Sequence, residues 1–280
     1  MRYQQLFTKL FCRPVLLESA TRIGYELALL SLMEGGSFEQ AAANFEARKI
    51  VPERQQARAD GLLEVRGNTA IIHIDGAIDK NLSAWDRLCL DATDLRDVDQ
   101  ALDTAAAANS IRNVLLVIDS PGGSVTGVPE TAAKIAALAE QKNVFAYTEG
   151  MCCSAAYWLA AACDQIYSTS SAQIGSIGVY LALVDQSTRL ANAGLKVNLI
   201  KDGSLKAAGA GFKELTDDER SHFQAQVSQI GAEFRAAVQA KRPDVSLSTM
   251  QGQSFFGGRN VELGLSDGLV SGMGEALAQF

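Results

Sequence analysis

The sequence predicts an α/β protein made of repeated β-β-α or β-α units, and three features carry that expectation. Two apolar runs, VLLVID (114–119) and VFAYT (144–148), each end at turn residues and lead into a helix-length stretch. Upstream, LLEV and TAIIHIDG flank the turn RGN and read as a hairpin. With 48% hydrophobic and 20% charged residues over 280 positions, the chain has apolar material for one substantial core plus a smaller appendage.

In chain order, residues 1–45 read as helical. Leu6, Leu10, Leu27, Leu30 and Leu32 fall at roughly helical intervals, with an interruption near Pro14. The charged run EARKIVPERQQARAD, Glu46 to Asp60, reads as a linker, so residues 1–60 form an N-terminal arm and 61–280 the main domain. After the hairpin, a helix is expected around Asp94–Ala108, then strand 114–119, the turn SPGG and a helix from Pro129 to about Gln141. Strand 144–148 leads into an apolar helix starting near Ser154. Strands at 165–168 and 177–183, a helix near 186–193 and a strand VNLI (197–200) continue the alternation. In LTDDER, Thr216 and Glu219 have capping-box spacing and open a helix running to about Lys241. Residues 255–270 read as a turn, a short helix and a final strand.

Charge and cysteine content narrow the function. A net charge of −7 argues against nucleic acid, whose binders need a positive footprint. The five cysteines show neither CxxC spacing nor an even count, so neither a metal site nor a disulfide framework is expected, and a reducing cytoplasm is. No apolar run reaches the ~18 residues of a membrane span, and the N-terminus lacks the pattern of a secretory signal.

Three segments carry chemistry. In IDSPGGSV, Gly122 and Gly123 follow an apolar strand and suit an oxyanion hole or a close-passing peptide, although an isolated PGG is more often an ordinary turn. In MCCSAAYWLAAACD, Ser154 opens a helix that is apolar nearly all round and therefore buried. That serine is either a simple N-cap or a nucleophile whose oxyanion would meet the amide of Ala155. In NLIKDGSLKAAG, Lys201 and Lys206 sit in a loop where lysines are usually solvated, but a lysine in an apolar site gives up its proton and acts as a base. The two histidines, His73 and His222, fall inside a strand and a helix, which leaves a lysine base as the simpler proposal.

In combination, IIHIDGAI, VLLVIDSPGG, the Ser154 helix, IYSTSSAQIGSIGV, the Lys206 loop, LTDDER and FFGGRNVELGLSDGLV resemble the S49 family of peptidases over roughly Thr69 to Leu277. The resemblance implies a Clp protease/crotonase-like α/β spiral with an N-terminal helical arm. It implies Ser154 as nucleophile, Lys206 as base, Ser176 as the residue orienting the lysine, and Gly122, Gly123 and Ala155 around the oxyanion. Lys201 matches a second, non-catalytic lysine. No cofactor is implied. Ser154-Ala155-Ala156 stands where signal peptide peptidases tend to have Ser-Gly-Gly, and with no membrane anchor evident the chain is more similar to the phage or prophage branch. The expected substrates are then extended peptides of capsid or scaffold proteins, met in the bacterial host cytoplasm or the prohead, with signal-peptide-like degradation as the other role, and the expected state is a homo-oligomer. Two other readings are a ring-forming capsid assembly factor without activity and a crotonase-type acyl-CoA enzyme. Both leave the Ser154, Ser176 and Lys206 set without a role.

Overall fold

Four times in succession, a strand of one large sheet hands the chain to a short strand of a second layer. The structure, a computed structural model, describes residues 15–17, 62–82 and 92–280. The first pair is β3 (Thr69–Asp75) and β4 (Ala77–Asp79), preceded by β1 (Val15–Leu17) and β2 (Leu63–Arg66) and followed by β5 (Ala92–Asp94). The others are β6 (Asn113–Asp119) with β7 (Gly122–Ser124), β8 (Asn143–Thr148) with β9 (Met151–Cys153), and β10 (Gln165–Ser168) with β11 (Gln173–Gly175). Helices α1 (Leu95–Ala107), α2 (Val128–Ala139) and α3 (Ala155–Ala161) close the first three units. This is the β-β-α spiral the sequence led us to expect.

The later elements are α4 (Ser187–Asn192), α5 (Asp217–Lys241), β12 (Ser254–Phe256), α6 (Gly258–Glu262), β13 (Gly268–Leu269) and α7 (Met273–Leu277). The six-stranded sheet runs β13-β10-β8-β6-β3-β2, parallel except for the β2–β3 hairpin. The smaller sheets run β1-β7-β4-β5 and β12-β11-β9. Parallel strands need both faces covered. On one face, Ile72, Ile74, Leu116, Ile118 and Val144 share a core with Leu95, Val98 and Leu102 of α1 and Val128 and Ile135 of α2. On the other, Ile71, Leu115 and Phe145 pack with Val270 and Ala276, and Phe280 stacks on Phe145 at 4.3 Å.

Local chemistry sets the helix starts. Asp94, almost wholly buried, accepts from the amide of Arg96 and from those of Asn81 and Leu82, capping α1 while pinning the preceding loop. Thr216 and Glu219 form the expected capping box on α5. The Lys213 ammonium lies 2.7 Å from Glu219 Oε1 and, with the Thr216 amide, holds this carboxyl below the usual glutamate range. A carboxyl with a depressed folded-state pKa contributes stability above its unfolded value, near 4.5, and loses it as the pH falls towards the folded value. Glu219→Gln should therefore flatten the dependence of Tm on pH between about pH 5 and 3 relative to wild type. An unchanged acid limb would show that the box does not titrate.

Four expectations need correction or placement. Val15–Leu17, inside the segment expected as helical, is a strand paired with β7. A sheet edge offers these residues backbone partners that a local helical reading does not foresee. The rest of the arm and the linker lie outside the described residues. Residues 177–183 form no continuous strand. The fourth short strand lies earlier, at Gln173–Gly175, and the backbone turns out of the ladder at Gly175 and Ser176, both at positive φ. VNLI (197–200) is also not a strand. It has no ladder partner among the described residues, and Ile200 is 97% exposed.

Candidate active site

The turn from β9 to α3 is made by one residue, Ser154, with φ 56° and ψ −118°. Glycine is the usual occupant of such a conformation, and a side chain there costs on the order of 1–3 kcal/mol. The molecule supplies its own comparison. Strand β12 turns into α6 through Gly257 at φ 54° and ψ −136°, nearly the same backbone, and there the residue is glycine. Ser154 does not cap its helix through its side chain, and its Oγ has no hydrogen-bond partner among the described residues. The N-cap explanation for this serine is thereby removed. A strained, uncapped hydroxyl at a strand-to-helix turn is a feature of nucleophile sites.

Packing holds this turn from several sides. Every residue of α3 is buried. Trp158 stacks on Phe234 of α5 at 4.5 Å, and the Tyr157 hydroxyl donates to the Leu265 carbonyl at 3.0 Å. The Ser154 amide donates to the carbonyl of Gly175, and the next residue, Ser176, is buried, stands at φ 53° and donates its amide to Gln253 O. Ser154 and Ser176 thus sit on neighbouring strand ends, β9 and β11, which pair in parallel through Cys153 and Gly175.

The glycine turn arrives from the adjoining unit. Ser120 bridges Cys152, with its amide on Met151 O and its carbonyl accepting from the Cys153 amide. Its hydroxyl donates to Gly76 O at 2.6 Å and accepts from the Gly122 amide at 3.2 Å. Asp119 Oδ1 accepts from the Met151 amide, and a Cβ on Gly150 would stand 2.2 Å from that oxygen. Sequence reading missed Asp119 and Ser120 as positioning residues, although both stand in the IDSPGG motif.

The two glycines have different reasons to be glycine. Gly122 has φ 100°, a backbone requirement. At Gly123 a Cβ would lie 1.9 Å from the carbonyl oxygen of Ile78 in β4, so the close approach of β4 decides that position. Gly123→Ala should destabilise the fold by about 3 kcal/mol or more, through overpacking against backbone. Gly122→Ala should cost less, on the order of 1–3 kcal/mol of strain. Chemical denaturation of both variants checks the order, and equal losses would contradict it.

The Ala155 amide, at the first position of α3, has no acceptor among the described residues and remains available to an oxyanion. The neighbouring cysteines are not rival nucleophiles of equal standing. Burial pushes the thiols of Cys152 and Cys163 well up, keeping them protonated.

Lys206 lies exposed in the turn 203–208, and no hydrogen bond joins its amine to Ser154 or Ser176. The Lys201 amine donates to the carbonyl of Ser204 in the same loop. Leu195, Val197, Leu199 and Ile200, just before it, are all exposed. A groove of about 910 Å³ beside this segment is lined by Leu183, Gly209, Lys213 and Phe223, and Ser154 does not line it. His73 lies in β3 and His222 in α5, and neither bonds to Ser154. No group of three or more His, Cys, Asp or Glu residues that could hold a metal exists among the described residues, and no described helix is long and apolar enough to cross a membrane.

Comparison with known proteins identifies the family. Residues 136–278 match the model of peptidase family S49. The head-tail preconnector protein of Enterobacteria phage P21 is 31% identical over 275 residues, 93% of this chain and 54% of that protein. The capsid assembly protease C of Escherichia phage lambda is 33% identical over 173 residues, 61% of this chain and 39% of that one. The chain therefore spans about half or less of these relatives' lengths. A solved enoyl-CoA hydratase/isomerase family member matches with a TM-score of 0.44 and 17% identity, over 78% of this chain and 72% of that chain.

Proposed function

Since the chain belongs to peptidase family S49, we propose that it is a serine endopeptidase working through a Ser154/Lys206 dyad on extended segments of phage capsid or scaffold proteins. The observation that carries this reading is Ser154 itself, a non-glycine residue in a glycine conformation with its hydroxyl neither capping nor bonded. Strain of this kind is retained where it serves a site.

In the proposed reaction, Ser154 Oγ attacks the scissile carbonyl and Lys206 takes its proton. The oxyanion forms against the Ala155 amide and the Gly122–Gly123 turn. Lys206 then protonates the leaving amine, and water resolves the ester. Ser176, beside Ser154 through Gly175, orients the lysine amine. Lys206 must be delivered to this place, because in one copy it projects into solvent. The exposed apolar run from Leu195 to Ile200 leads directly to it and supports self-association, with packing of that run desolvating the lysine as a base requires. The phage setting is supported by the names of the two phage relatives.

The test is mass spectrometry of a phage capsid or scaffold protein incubated with the purified chain, alongside a thioester substrate. New protein termini without thioester turnover support the reading. Thioester turnover with intact protein would replace it by an acyl-transfer function.

A further inference from the structure

The smaller sheet containing the glycine turn has an unusual edge. Strand β7 pairs on one side with β4 of its own domain, and on the other with β1, residues Val15–Leu17, from 105 or more positions upstream. The pairing is antiparallel, with Val15 opposite Ser124, Leu16 opposite Gly123 and Leu17 opposite Gly122. An extended peptide added to a sheet edge gains main-chain hydrogen bonds independent of its sequence, which is how a protease holds an unfolded substrate segment.

Direction matters as much as position. Going from Val15 to Leu17, the chain moves down β7 towards its start, Gly122, and so towards Ser120. Ser120 is the residue bridged to Cys152, two positions before Ser154. All three residues of β1 lie along β7, and its C-terminal end, Leu17 opposite Gly122, is directed towards the turn that carries Ser120. That is the polarity acyl transfer requires, because residues on the acyl side of a scissile bond precede it.

We propose that the outer edge of β7 is the strand that receives peptide substrate, and that this chain's own Val15–Leu17 segment occupies it as an internal substrate, cut directly after Leu17. The inference rests on the Ser154 peptidase reading. Ser154 Oγ bonds to the carbonyl carbon at the end of β1, its proton passes to the base, and the peptide C–N bond breaks as the new amine takes that proton. Water then hydrolyses the ester, releasing the N-terminal peptide as a carboxylic acid and restoring the hydroxyl. Removal of the arm uncovers β7 for other peptides.

Intact-mass measurement of the purified full chain over time, with β-casein hydrolysis followed in the same samples, tests this. The expected result is a new N-terminus at Glu18 in wild type and none in Ser154→Ala. Leu16→Pro and Leu17→Pro, one of which removes a ladder amide, should slow the cut while leaving casein hydrolysis in place. Casein hydrolysis beside an uncut wild-type chain, or a first cut elsewhere, overturns the inference and leaves the peptidase reading standing. If neither casein nor the chain is cut, both fall together.

Discussion

Ser154→Gly is expected to yield a protein more stable than wild type and unable to hydrolyse peptides. The position demands a backbone that glycine adopts without strain, as Gly257 does at the equivalent turn into α6. Among the described residues, the Ser154 hydroxyl makes no hydrogen bond whose loss would offset that relief. A gain of about 1 kcal/mol follows from relieving the positive φ, partly offset by the greater freedom of glycine in the unfolded chain. Ser154→Ala keeps the strain, so its stability should stay near wild type. Both variants should lose on the order of 10³-fold or more in turnover, as expected for removing a nucleophile. Denaturant midpoints and peptide hydrolysis measured on the same preparations separate the two effects. Retained cleavage in Ser154→Ala would end the dyad, and a destabilised Ser154→Gly would show that the turn is not strained.

Lys206→Ala is the second large effect. Turnover should fall by a comparable factor, on the order of 10³, while stability stays unchanged, because the side chain is exposed and holds nothing in place. Lys201→Ala should be milder, since that amine only bonds to the carbonyl of Ser204 within its loop. His73→Gln and His222→Gln should keep most of the rate. Because Lys206 is exposed and makes no hydrogen bond to Ser154, mixing inactive Ser154→Ala with inactive Lys206→Ala discriminates how the lysine arrives. Recovered hydrolysis means that one copy serves another, and none means that the loop closes on its own body. If His222→Gln silenced a folded enzyme and Lys206→Ala did not, the base would be histidine.

Much of this architecture was legible because its signals are local. The apolar runs at 114–119 and 144–148 are parallel strands buried on both faces, and such strands read as continuous apolar stretches. The capping box at Thr216 and Glu219 placed the start of α5 to the residue. The run at 197–200 misled for the same reason, since a stretch rich in β-formers looks like a strand whether or not it has a ladder partner. The short second-layer strands were harder. With three residues each, β7, β9 and β11 carry too little pattern to be seen. At the site, Ser154, Ser176 and the glycine turn are assembled by those short strands. The role of Gly123 as a clearance for Ile78, and of Ser120 as the tie between units, depends on contacts across 45 and 44 positions, which no local pattern records.

The link between Ser176 and Gln253 also sets a time order on the ribosome. Strand β11, beside the Ser154 turn, is paired on its outer edge by β12, and the Ser176 amide ends on Gln253. Both partners are synthesised after Ser154, Gln253 by 99 positions. A nascent polypeptide carries Ser154 long before it carries these residues, so the hydroxyl leaves the exit tunnel in a turn that β12 does not yet support. Full bracing of the Ser154 turn is thereby deferred until Gln253 and β12 have been made.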